Sequence, residues 1–137
     1  MKKVMWVNPF EGIFDAPQEV TYGKWNWGGF LWGPIWGLGN GMAWPFWVGL
    51  FLNPINFILK LAGLSRPEYA MIMAVVMTAY GLSISIWFGL KGNEISWTQE
   101  YWSSVERFRH VQKQWIKWWF YIFIGVPVLL YILFHIL

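Results

Sequence analysis

The chain has no cysteine. Disulfides and thiolate metal sites are therefore excluded, and the redox compartment cannot be read from the residues. Charge is also scarce. Only 12 % of the 137 residues are Asp, Glu, Lys or Arg, against about 25 % in an ordinary soluble domain. That is too little to cover a water-exposed surface. Histidine occurs only twice. No paired carboxylates, no metal-spaced cluster and no nucleophile–base–acid set can be found, so no metal, no cofactor and no enzymatic activity is expected. The "GLGNG" run at 37–41 follows no strand and is a weak signal for a phosphate loop. The formal net charge of +3 is accounted for by topology and makes no case for nucleic acid.

Apolar and aromatic residues fill the chain instead. Hydrophobic residues make up 57 %, and there are thirteen tryptophans. "YAMIMAVVMTAYGLSISIWFGL" has no ionisable group other than tyrosine hydroxyl. At about 1.5 Å per residue it can cross a hydrocarbon core of about 30 Å. The helix holding it is expected over 68–90, capped by Ser65 with Glu68 and stopped at Lys91-Gly92-Asn93. "WWFYIFIGVPVLLYILFHIL", 118–137, is a second such run. Residues 42–63 form a third, which should kink or break near Pro54. The opening "MKKVMWVNPFEG" has no apolar core behind its lysines and does not read as a cleaved signal peptide. Insertion is expected to rely on the internal spans. Within residues 1–24, segments 4–7 and 18–22 suit short strands, and a small β-hairpin is expected there.

Between Lys24 and Trp47 stand six of the tryptophans, interleaved with glycines and prolines. This is poor material for one continuous helix. Segment 98–119 by contrast has clear helical periodicity. Tyr101, Trp102, Val105, Phe108, Trp115, Ile116 and Trp119 share one face, and Arg107, His110, Lys113 and Lys117 lie on the other. Such a basic amphipathic helix is expected to lie in the membrane interface, after a cytoplasmic turn within 91–117.

Charge asymmetry orders these pieces. If 25–41 does not cross, one side holds Lys2, Lys3, Lys24, Lys91, Arg107, Arg109, Lys113 and Lys117, and the other only Lys60 and Arg66. If 25–41 does cross, the bias vanishes. Residues 25–41 are therefore read as an interfacial or re-entrant element. The N-terminus is then cytoplasmic and the C-terminus outside.

"VNPFEG … EVTYGKWNWGGFLWGP" and "GLKGNEISWTQEYWSSVERFRHVQKQW" together resemble the DUF2628-like family of small bacterial membrane proteins of unknown function. The likeness covers most of residues 4–116. It implies a multi-pass integral protein of a bacterial inner membrane and lends no activity. The apolar run after the amphipathic segment is not part of it.

Several residues stand out as candidates. Ala70, Ala74, Thr78, Gly81, Ser85 and Gly89 form a stripe of small residues on the second span. Such a face lets helices approach closely, either within this chain, which is favoured, or against a partner. Asn53, Pro54 and Asn56 are the polar group expected at membrane depth, with mutual hydrogen bonding favoured over a polar path. Trp25, Trp27, Trp32, Trp36, Trp115, Trp118 and Trp119 are expected as interfacial aromatic anchors. Arg107, Lys113 and Lys117 are expected to meet anionic lipid headgroups. His135 is most simply an interfacial histidine, with axial ligation of a haem or pigment as the alternative.

The reading is an all-α integral membrane protein with three transmembrane helices. Its expected role is that of an accessory or structural subunit of a larger assembly, with other integral membrane subunits and lipids as partners. A small homo-oligomeric pore using Asn53 and Asn56, and a pigment- or haem-associated protein, are the alternatives.

Overall fold

A computed structural model describes residues 17–21, 24–52, 54–64 and 66–136. Among them every regular element is helical. Strand 4–7 lies outside the described residues. The strand expected at 18–22 is corrected: Gln18–Thr21 is a single helical turn, α1. Pro17 precedes it and Glu19 stands in its first turn, both favourable at a helix start. A strand, by contrast, needs a pairing neighbour.

The Trp-rich stretch breaks into α2 (Trp27–Trp32) and α3 (Pro34–Gly39). Asn26 caps α2, its Oδ1 accepting from the Gly29 backbone N–H at 2.7 Å. Gly33 joins the two helices with φ of 51°, a left-handed value that favours glycine, and Pro34 opens α3 where its missing N–H costs nothing. The next run is also in two pieces, α4 (Trp44–Leu52) and α5 (Ile55–Leu61), with Pro54 at the N-cap of α5. The break falls where proline placed it. Each piece is about 10–14 Å long and too short to cross a bilayer alone.

Two long helices follow. Helix α6 runs from Pro67 to Gln99, with Arg66 at its N-cap; Ser65 lies outside the described residues. Helix α7 (Val105–Phe120) continues through a π-turn at Tyr121–Gly125 into α8 (Val126–Ile136). Pro127 explains the widened turn. It has no N–H to give, and its ring crowds the carbonyl four residues back. Both long helices, Pro67–Gln99 and Val105–Ile136, are apolar and long enough to span a membrane.

Two boundaries differ from expectation. Helix α6 does not stop at Lys91-Gly92-Asn93 but runs nine residues beyond Leu90. Glycine inside a helix costs about 1 kcal/mol, and buried contacts of Gly92 and Asn93 with Asn26 offset it. The amphipathic helix begins at Val105 rather than Thr98. Its cap is Ser104, whose Oγ accepts from the Arg107 N–H at 3.1 Å. Ser96 and Gln99 are buried inside α6.

The molecule has a head and two arms. The head packs α2 between the C-terminal third of α6 and α7. Its apolar core is Trp36, Met42, Ile84, Phe88 and Ile95, with Trp32, Trp87 and Trp115 against it. No side chain at Gly29 would fit, because a Cβ there would stand 2.9 Å from the Phe88 carbonyl oxygen. One arm is the N-terminal half of α6 with α4 and α5 alongside; Tyr80 donates to the Pro45 carbonyl at 2.6 Å. The other arm is α8, which is exposed along its whole length.

Candidate functional site

At the centre of the head is a buried polar hub. Asn26, Asn40, Asn93, Ser96 and Gln112 come from four places in the chain, and each is buried. Gln112, on α7, is the junction. Its Oε1 accepts from Asn26 Nδ2 at 3.1 Å and Trp36 Nε1 at 3.0 Å. Its Nε2 donates to Asn40 Oδ1 at 3.0 Å and Ser96 Oγ at 3.2 Å. Ser96 in turn donates to Asn40 Oδ1 at 2.7 Å, and Asn40 Nδ2 donates to the Trp36 carbonyl at 2.9 Å. Asn26 Nδ2 donates to Asn93 Oδ1 at 2.9 Å, and Asn93 Nδ2 to the Lys24 carbonyl at 3.2 Å. The four bonds of Gln112 use the whole capacity of one amide. Among the described residues no buried side-chain polar atom lacks a partner.

Sequence reasoning missed this hub. It placed the only deep polar group at Asn53, Pro54 and Asn56. Asn53 lies outside the described residues, and Pro54 is exposed at the start of α5. One signal was available. Gln112 comes four residues after Phe108 and three before Trp115, which puts a polar side chain on the apolar face of α7. Asn40 and Asn93 stand beside glycines and look like turn residues, and Asn26 lies between two tryptophans in a stretch read as interfacial, so nothing local marks them as core.

Beside the hub opens a cavity of about 320 Å³. Asn26, Asn93 and Gln112 form part of its lining, with Trp25, Phe108 and Ile116 as apolar wall. Lys24, Arg109 and Lys113 line it as cations, against one carboxylate among the described residues, Glu19. Lys24 Nζ and Arg109 Nη2 both donate to the Glu19 backbone carbonyl, the latter at 3.3 Å. Lys113 has no ion-pair or hydrogen-bond partner among the described residues.

The expected anchors divide. Trp36 is not interfacial; it is 0 % exposed in the core, because its N–H finds Gln112. Trp32 and Trp115 pack on each other with ring centroids 5.9 Å apart, and Trp32 Nε1 donates to the Trp115 carbonyl at 2.7 Å. The ring face of α7 thus covers α2 instead of lying on lipid. Trp25, Trp27 and Trp118 are exposed, and Trp119 is half-buried against Phe123. Of the expected headgroup cations, Lys113 lines the cavity, whereas Arg107 and Lys117 are exposed outside it.

The small-residue stripe also divides. Gly89 lies under the Trp25 ring and Ser85 against Gly33. Ala70, Ala74 and Thr78 are exposed, and Gly81 has open space before it. Packing within this chain thus covers only the Ser85–Gly89 end of the stripe. The covered stripe of α6 is the neighbouring one, Met73, Met77, Tyr80, Ile84 and Phe88, since the rings of α3 and α4 find larger side chains there. Lys91 and Glu94, expected in a turn, pair across one helical turn at 3.5 Å. His135 is exposed; its Nδ1 lies 2.9 Å from the Tyr131 carbonyl, and its ring stacks on Tyr131.

The arrangement is suited to holding elements together. Ser96 gives its proton to an amide oxygen, which is no base. Among the described residues no three His, Cys, Asp or Glu gather as metal ligands. No family model matches this chain, and no curated protein or solved structure matches it either.

Proposed function

We propose that this chain is a non-catalytic accessory or structural subunit of a larger membrane assembly. The observation that carries this reading is the second arm: every residue from Phe120 to Ile136 is exposed. A soluble protein does not leave so long an apolar helix open to water. The polar hub, by contrast, ties α2, α3, α6 and α7 into one block. A stapled head with an unpartnered apolar arm suits a protein whose helices complete their packing on another subunit.

In this reading both long helices cross the membrane, and α4 with α5 forms a third, broken passage beside α6. The cationic head lies on the cytoplasmic face of a bacterial inner membrane, with the N-terminus cytoplasmic and the C-terminus outside. The resemblance to the DUF2628-like family agrees with an integral membrane protein.

The test is photocrosslinking in native membranes, with a photoreactive residue at Leu129 on α8 or at His110 on the head. Leu129 is expected to yield a discrete adduct with a different protein, and His110 none. Adducts with lipid alone at Leu129, or a band at twice the chain's mass, would overturn the proposal.

A further inference from the structure

We infer that the cavity beside the hub is a binding site for the headgroup of an anionic phospholipid. The inference rests on the membrane reading above and deepens it.

Three observations converge. The first is charge: Lys24, Arg109 and Lys113 face the cavity, with Glu19 the one acid in its lining among the described residues. Two of the cations hold the Glu19 carbonyl, while Lys113 has no partner among the described residues. The second is the mixed chemistry of the walls. Buried amides lie to one side and Trp25, Phe108 and Ile116 to the other. A free inorganic anion would leave the rings unused; a phosphate carrying a glycerol backbone and acyl chains would meet both.

The third is depth, read independently from two helices. On α7 the apolar run begins at Trp118, and Lys113 lies about 7.5 Å before it at 1.5 Å per residue. On α6 the apolar run ends at Leu90, and Asn93 lies about 4.5 Å beyond. The headgroup layer is roughly 5–7.5 Å thick per leaflet, from the difference between the full bilayer and its hydrocarbon core. Both helices place the cavity at headgroup level. Lys117, nearer the apolar run but outside the cavity, supplies the control.

The experiment uses the full chain in nanodiscs of equal parts phosphatidylglycerol and phosphatidylcholine. Native mass spectrometry counts the lipid retained on release. The wild-type chain should keep phosphatidylglycerol over phosphatidylcholine by about fivefold or more, and Lys113→Gln should lower that ratio about fivefold, the effect of one cation near an anionic surface. Arg109→Gln should lower it similarly, and Lys117→Gln should leave it near the wild-type value. Equal retention of both lipids, or a loss with Lys117→Gln as large as with Lys113→Gln, would overturn the site. Displacement of the retained lipid by excess inorganic phosphate would also overturn it, as a free-anion site. A chain that never enters the nanodisc would sink the membrane reading itself, whereas insertion without lipid preference sinks this inference alone.

Discussion

Gln112 shows how much one side chain can decide. A glutamine on an apolar helix face would ordinarily cost a few kcal/mol of desolvation. Here four hydrogen bonds to Asn26, Trp36, Asn40 and Ser96 offset that cost. Replacing it by leucine removes all four and leaves Trp36 Nε1 without an acceptor. At about 1 kcal/mol net per bond, plus the orphaned donor, Gln112→Leu should destabilise the head by about 2–4 kcal/mol, measured by thermal unfolding in detergent. Gln112→Glu makes a sharper test. Burial raises the carboxyl's folded pKa above its unfolded value of about 4.3. The variant should therefore be stable at acidic pH and lose stability as pH rises past that value. A pH-independent melting temperature for Gln112→Glu would mean that position 112 is not enclosed.

At the scale of elements, local preference and tertiary contact compete along α6. Lys91-Gly92-Asn93 is a stop signal by propensity, and the helix passes through it. Gly92→Ala sets the two forces against each other. Alanine gains about 1 kcal/mol in helix propensity. Its Cβ, however, would stand 3.1 Å from Asn26 Cβ and 3.2 Å from Asn26 Nδ2, and Asn26 cannot shift without loosening its bonds to Asn93 and Gln112. At about 1 kcal/mol or more for each bond weakened, the balance favours the wild type. Gly92→Ala should destabilise by about 1–2 kcal/mol, and hydrogen exchange should rise at Gly29 and Asn93 before it rises in the arms. A gain in stability would show that propensity governs this helix.

At the scale of the whole molecule, the head gathers Lys24, Lys91, Arg107, Arg109, Lys113 and Lys117, while Lys60 and Arg66 stand at the far end of the α5–α6 arm. In the membrane reading proposed above, the positive-inside rule would put the head in the cytoplasm. Because the chain has no native cysteine, single cysteines report cleanly. Lys24→Cys and Lys113→Cys should both react with an impermeant thiol reagent only from the cytoplasmic side, and Lys60→Cys only from the other. Labelling of positions 24 and 113 from opposite sides would break the head apart and is incompatible with the hydrogen bonds between Asn26 and Gln112.

Length, apolarity and proline were sufficient to read the two long arms, the break at Pro54 and the fragmentation of the Trp-rich stretch, because these depend on residues close together in the chain. The hub, the continuation of α6 to Gln99 and the burial of Trp36 could not be read that way. Each depends on polar groups up to 86 positions apart finding one another. A buried amide carries no local mark of its partner, so only the packing of α2 between α6 and α7 determines which polar residues become core and which cations face the same cavity.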